Sequence, residues 1–258
     1  MHASQPIGLF DSGIGGTSIW REIHQLLPGE DTIYLADSKN APYGLRSKSE
    51  IVALSRKNTE LLLELGCKII VVACNTATTN AIRELRAAYD VPFIGIEPAI
   101  KPAALHSATQ TIGILATKGT LSSELFNKAV ETYQDTAIVE QVGHGLVELI
   151  EAGALDSSEM DRLLHLYIDP MIAANIDYLV LGCSHYPYLI PQIREILPAH
   201  IRIIDSGEAV ARQTKHVLED RGLMSEEKTG KAIFYTNAAP EVLAGILNNE
   251  FVVSTRDF

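Results

Sequence analysis

Two apolar runs of one design constrain this chain more than anything else in it. Ile69-Ile70-Val71-Val72-Ala73 leads into Cys74-Asn75-Thr76, and Tyr178-Leu179-Val180-Leu181-Gly182 leads into Cys183-Ser184-His185. Each reads as a buried strand that ends in a thiol with polar side chains beside it. The cysteines are 109 positions apart. A second pair of phrases, Ile7-Gly8-Leu9-Phe10-Asp11-Ser12 and Ile112-Gly113-Ile114-Leu115-Ala116-Thr117, recurs 105 positions apart and in the same order. Two landmarks repeated at nearly one interval point to an internal duplication.

Strands alternate with helical periodicity in both halves. This predicts an α/β protein of two similar domains, with mostly parallel sheets flanked by helices and a cleft between them. Pro98 and Pro102 mark one crossing and the stretch 205–208 the other, so the first domain is expected to hold residues 1–97 plus 207–258 and the second 98–206. Ser47 and Glu50 form a capping box for a helix closed by Gly66. Asn75 or Thr76 is expected to cap a helix through about Tyr89, Leu121 to Tyr133 to form one helix, and Pro170 to kink another. The tail from Phe251 onward carries no signal.

The chain has 258 residues, an apolar fraction of 47% and a formal charge of −11. The acidic balance, with Lys and Arg scattered, leaves no footprint for nucleic acid. Its apolar runs fall far short of the roughly 18 residues of a membrane helix, and the start lacks a secretory pattern. Three widely spaced cysteines make a poor disulfide framework, so a soluble cytoplasmic protein with free thiols is expected.

Ligands of parallel α/β sheets sit beyond the carboxyl ends of strands, where Asp11, Cys74, Thr117 and Cys183 all fall. A cysteine opening a helix gains thiolate character from the helix N-terminus. Cys67, at a helix end among apolar neighbours, reads as structural. Two thiols facing across a cleft suit a carbon acid that loses its proton on one face and regains it on the other. Asp11 and His185 are the ionisable groups placed to assist, and Ser12, Asn75, Thr76, Thr117, Thr120 and Ser184 offer hydroxyl and amide groups for a substrate.

Three other readings remain open at this level. Gly13, Gly15 and the helix after them resemble a dinucleotide turn, although Ser18 stands at the third glycine position and Asp37 ends the next strand. A metal hydrolase built on Cys74, Cys183, His185 and Asp11 lacks local ligand spacing. Two lobes around a cleft would also suit a binding protein without turnover.

Together the phrases Phe10-Asp11-Ser12-Gly13-Ile14-Gly15-Gly16, Pro42-Tyr43-Gly44, Ala73-Cys74-Asn75-Thr76-Ala77, Gly95-Ile96-Glu97-Pro98-Ala99 and Leu181-Gly182-Cys183-Ser184-His185-Tyr186-Pro187 carry a resemblance that runs along nearly the whole chain. The chain resembles the glutamate racemases of the two-domain aspartate/glutamate racemase superfamily. The resemblance implies interconversion of L- and D-glutamate, supply of D-glutamate for peptidoglycan, no cofactor or metal, and a homodimer. By position it makes Cys74 and Cys183 the acid/base thiols. It makes Asp11, Ser12, Tyr43, Gly44, Asn75, Thr76, Ser184 and His185 substrate contacts or helpers, and Glu151 is similar to a family glutamate near the site. Ser184 stands where the family usually has threonine, and His185 where aspartate racemases tend to carry glutamate.

Overall fold

The computed structural model describes all 258 residues. Its first sheet contains β1 (Ile7–Asp11), β2 (Thr32–Ala36), β3 (Ile69–Val72) and β4 (Phe93–Gly95). The second contains β5 (Thr111–Ala116), β6 (Ala137–Val142), β7 (Tyr178–Gly182) and β8 (Arg202–Ile204). The chain then returns to the first sheet with β9 (Ala232–Thr236) and β10 (Val253–Thr255). Every neighbouring pair is parallel. Parallel pairing requires long crossovers, and helices supply them and cover the sheets. Accordingly β1, β2, β3 and β7 are buried along their whole length.

The strand orders are β10-β9-β2-β1-β3-β4 and β6-β5-β7-β8. The order β2-β1-β3-β4 in one sheet is thus repeated as β6-β5-β7-β8 in the other, and the repeat seen in the sequence is a repeat of topology. In each sheet the order reverses beside the central strand, between β1 and β3 and between β5 and β7. Such a switch point opens a crevice at the carboxyl ends of the strands.

A single cluster of 40 buried apolar residues runs through both sheets, from Trp20 and Tyr34 on one side to Leu146 and Tyr186 on the other. Smaller clusters of 17 and 9 residues back the first and second sheets. The two crossings between the sheets lie together, since the Ser206 hydroxyl donates to the carbonyl of Glu97. No helix is long and apolar enough to cross a membrane.

Several local expectations need correction. The helix expected over Leu121 to Tyr133 is two, Lys118–Leu121 and Glu124–Glu131, because Ser123 turns out of the first to cap the second. Pro170 does lie inside a helix, Ser158–Ala173, as expected. The carbonyl that Pro170 leaves unpaired belongs to Leu166, which is exposed and open to water. The crossing marked by Pro98 and Pro102 contains a helix, Ile100–His106, with Pro102 in the first turn where the missing N–H costs nothing. The tail contributes β10, whose edge position and polar sequence hide its strand character.

Candidate active site

Parallel register brings the landmarks together. Phe10 pairs with Val72 and Ala116 with Gly182. Continuing each ladder past its end sets Ser12 opposite Cys74 and Thr117 opposite Cys183. Both thiols therefore leave their sheets at equivalent switch points, and the two sheets present them to one narrow cavity. Its wall includes Ser12, Tyr43, Gly44, Cys74, Asn75 and Thr76 from the first sheet and its loops. Thr117, Cys183, Ser184 and His185 come from the second. Asp11, Thr120 and Glu151 stand behind this wall and contact it. Pro42 and Val147 also line the cavity and were missed. Nothing in the sequence marks Val147, since it reads as an ordinary helix-face valine.

The helix after β3 starts differently from expectation. Cys74 is itself the N-cap of Asn75–Ala88, in extended conformation, and its sulfur accepts from the Ala77 N–H at 3.4 Å. Asn75 and Thr76 are already helical, and the Thr76 side chain faces the other lobe. Thr76 Oγ1 lies 2.8 Å from Thr117 Oγ1 and 3.3 Å from Thr120 Oγ1. The third side of this hydroxyl triangle, Thr117 to Thr120, measures 3.1 Å. Cys183 has no such helix, because a short 3-10 turn, Tyr186–Leu189, precedes helix Ile190–Ile196.

The surroundings of the thiols differ in charge. The Cys74 thiol points to Ser12 Oγ at 3.6 Å. Burial, then the negative charge of Asp11, hold its pKa well above the ordinary thiol value, and the Ala77 N–H and Ser12 hydroxyl do not offset them. The helix start does lower the Cys74 pKa, as expected from the sequence, but burial and Asp11 outweigh it. Cys183 Sγ lies 3.8 Å from Nδ1 of His185. Burial disfavours the imidazolium of His185. Hydrogen bonding to Cys183 and Glu151, with the Asp11 charge, more than offsets burial and raises its pKa well above the usual imidazole range.

Asp11 is fully buried, and burial raises its pKa despite the opposing effects of His185 and the Gly16 N–H. It accepts from Gly16 N at 2.9 Å and from the Ser184 hydroxyl at 3.2 and 3.3 Å. Glu151 closes the other flank. Its Oε1 lies 2.6 Å from His185 Nε2 and accepts from Ile14 N at 2.7 Å, while Oε2 accepts from Ser38 Oγ at 2.8 Å. With His185 protonated, Nε2–H donates to Glu151, so the Gly15 N–H at 3.3 Å from Nε2 is a contact and not a hydrogen bond.

This geometry gives the Gly-rich turn a use. A Cβ on Gly13 would meet Glu151 Oε1 at 1.8 Å, and one on Gly15 would meet His185 Nδ1 at 2.2 Å. The glycines admit side chains of the opposite lobe, in the space where a dinucleotide turn would receive phosphate. Both amide atoms of Asn75 are buried without a partner. A buried, unpaired carboxamide in a cavity wall costs roughly 1–3 kcal/mol per group until a ligand satisfies it. No group of three or more His, Cys, Asp or Glu side chains is arranged to hold a metal ion. Cys67 is buried away from this site, beside Gly8, with burial pushing its thiol up to about 12.

A model of the Asp/Glu/hydantoin racemases matches residues 7–214. This chain belongs to the Asp/Glu/hydantoin racemase family. Family membership makes it an isomerase. Among its relatives, the glutamate racemase of Herpetosiphon aurantiacus is 45% identical over 94% of this chain and 96% of its own length. The crystal structure of a glutamate racemase isoform from Bacillus anthracis superposes with a TM-score of 0.90 at 29% identity, covering 99% of this chain and 98% of that one. That of Escherichia coli glutamate racemase, in complex with L-glutamate and the activator UDP-MurNAc-ala, gives 0.84 at 32% identity over 97% and 98%. The racemase fold thus extends over the whole chain, beyond the matched 7–214.

Proposed function

We propose that this racemase interconverts L- and D-glutamate without a cofactor, by proton transfer at two opposed thiols. The observation that carries this reading is the delivery of Cys74 and Cys183 to one cavity from equivalent points of a duplicated sheet. Its relatives' names as glutamate racemases supply the choice of substrate.

In the reaction, a thiolate on one side takes the Cα proton, so that an S–H bond forms as the C–H bond breaks. The electron pair left on Cα spreads into the carboxylate. The opposite thiol then returns a proton to the other face and becomes the thiolate, so the two sulfurs exchange roles. At rest Cys74 holds its proton, as its burial and the Asp11 charge require. The His185 imidazolium places positive charge next to Cys183. Asp11 and His185 assist their nearest sulfurs.

An α-amino acid carries both an ammonium and a carboxylate, which match the unpaired carbonyl and amino groups of Asn75. Ser12, Tyr43, Gly44, Thr76, Thr117 and Ser184 complete the substrate contacts, and Thr120 and Glu151 support them from behind. The units are residues 1–97 with 207–258 and residues 98–206, hinged where Ser206 meets Glu97. We place the enzyme in the cytoplasm as a homodimer that provides D-glutamate for peptidoglycan.

The test is incubation with L-glutamate in deuterated water. Loss of the α-proton signal with decay of optical rotation to zero is expected. Binding without exchange would sink the reading. Aspartate run in parallel should exchange far more slowly.

A further inference from the structure

Asp37 follows β2 directly and is buried, yet it stands outside the cavity wall. Its side chain is a hub. Tyr43, which lines the cavity, donates its hydroxyl hydrogen to Asp37 Oδ2, and Asn58 Nδ2 donates to the same Tyr43 oxygen at 3.1 Å. Asp37 Oδ1 accepts from Asn40 Nδ2 at 2.8 Å and from Asn237 Nδ2 at 2.5 Å.

Asn237 comes from the far end of the chain, and sheet register explains its position. Ala36 pairs with Thr236 in the parallel β2–β9 ladder, so Asp37 and Asn237 leave the sheet side by side. The Asn237 carboxamide is fully used. Its second N–H donates to a backbone oxygen of Phe258 at 3.1 Å, and its carbonyl accepts from Lys39 N at 2.9 Å. Phe258 is in turn buried among the apolar side chains behind the first sheet, the same cluster that contains Tyr43. One short polar chain therefore runs from the segment after β10 to a residue of the cavity wall: Phe258, Asn237, Asp37, Tyr43.

We infer that Asn237 is a positioning residue, which with the tail after β10 fixes Tyr43 against the substrate through Asp37. This inference rests on the glutamate racemase reading above. It also assigns a role to a segment beyond residues 7–214, the part matched by the family model. Asn237 touches no substrate. Its effect passes through the orientation of Asp37, whose Oδ1 would otherwise keep only the Asn40 N–H and whose Oδ2 would hold the Tyr43 hydroxyl less firmly. Loss of that restraint weakens binding of ground state and transition state alike, which raises KM and leaves kcat near its original value.

The experiment is a double-mutant cycle between Asn237→Ala and Tyr43→Phe, with KM and kcat for L-glutamate measured on the full-length protein. Asn237→Ala is expected to raise KM about tenfold, the scale of one lost buried hydrogen bond, with kcat within about twofold. In the Tyr43→Phe background the same change is expected to add less than about twofold, because the hydroxyl through which it acts is already absent. An unchanged KM in the single variant, or a full additional increase in the double, overturns the inference. If Asn237→Ala does not fold, Asn237→Ser keeps a small polar side chain at this position without a carboxamide long enough to span Asp37 and Phe258. The same cycle is then read with it. A wild-type protein that fails to racemise glutamate would refute the reading of function alone, and the cycle would then be read from glutamate affinity by calorimetry.

Discussion

The two halves of the cavity are built on one plan and diverge in the residues around the sulfurs. Matching the repeats, Ser12 corresponds to Thr117 and Cys74 to Cys183, so each sulfur faces a hydroxyl-bearing residue across its switch point. Asp11, however, corresponds to Ala116, and Thr76 to His185. The duplicated framework places the thiols, and the unduplicated residues give them unlike surroundings. A buried carboxylate lies beside one and an imidazolium beside the other. Symmetry of position with asymmetry of charge is what two-way proton transfer needs. In the proposed reaction both faces of the substrate must be reachable, with the sulfurs taking opposite protonation states in turn.

The severest way to break this comparison is to remove the sulfurs one at a time. Cys74→Ser and Cys183→Ser should each lower kcat for racemisation by about 10³-fold or more, the scale of a lost general acid or base, as followed by polarimetry. A mutant that keeps wild-type activity would remove its sulfur from the scheme. Each single mutant should still eliminate halide from one enantiomer of a β-chloro amino acid, with opposite preferences in the two. A shared preference would place both sulfurs on one face.

A milder probe sharpens the electrostatic half of the comparison. Glu151→Gln keeps the shape beside His185 Nε2 and removes the charge, and kcat/KM should fall about tenfold. The alkaline limb of the pH–rate profile should also move to lower pH, since the imidazolium loses part of its support. The same residue has a stability signature. Because the folded pKa of His185 is raised, the stabilisation it brings is complete below its ordinary value of about 6.5. It is lost as pH rises through the folded value. In Glu151→Gln that loss should set in at lower pH, which thermal melts across pH would detect. An unmoved alkaline limb would separate Glu151 from the Cys183 side.

Smaller still is the effect expected at the seam between the lobes. Thr120→Val removes one corner of the hydroxyl triangle and should cost about 1 kcal/mol of stability by denaturant unfolding. Its effect on KM should not exceed a few-fold. At the bottom of the scale, Cys67→Ser should leave kcat and KM unchanged. Any large effect there would undo the division between working and structural thiols.

The legibility of these features in the sequence follows physical lines. Strand positions were readable because buried parallel strands are written as β-branched runs, and the repeat spacing exposed the duplicated order. The capping box at Ser47 and Glu50 was readable because it is local. The cap at Cys74 was not, since Asn75 and Thr76 have better capping chemistry, yet Thr76 bonds to the opposite lobe and Asn75 is left unpaired in the cavity wall. The raised Cys74 pKa also escaped, because burial and the Asp11 charge exist only after both sheets close on the site. Val147, Asp37 and Asn237 depend on contacts 100 or more residues away or on register between distant strands, which no local pattern encodes. The tail strand escaped because an exposed edge strand carries little apolar periodicity.

The return of β9 and β10 to the first sheet has a consequence for biosynthesis. A nascent chain emerging from the ribosome completes β1 to β4 early, then the whole second sheet, before Ala232–Thr236 arrives to pair with β2. Until then the outer edge of β2, within an apolar strand, has an open ladder of N–H and C=O groups. Such an edge is a template for wrong pairing with another chain. Translation that stalls between residues 205 and 231 would hold the protein in that state, whereas release of the last segment caps the edge.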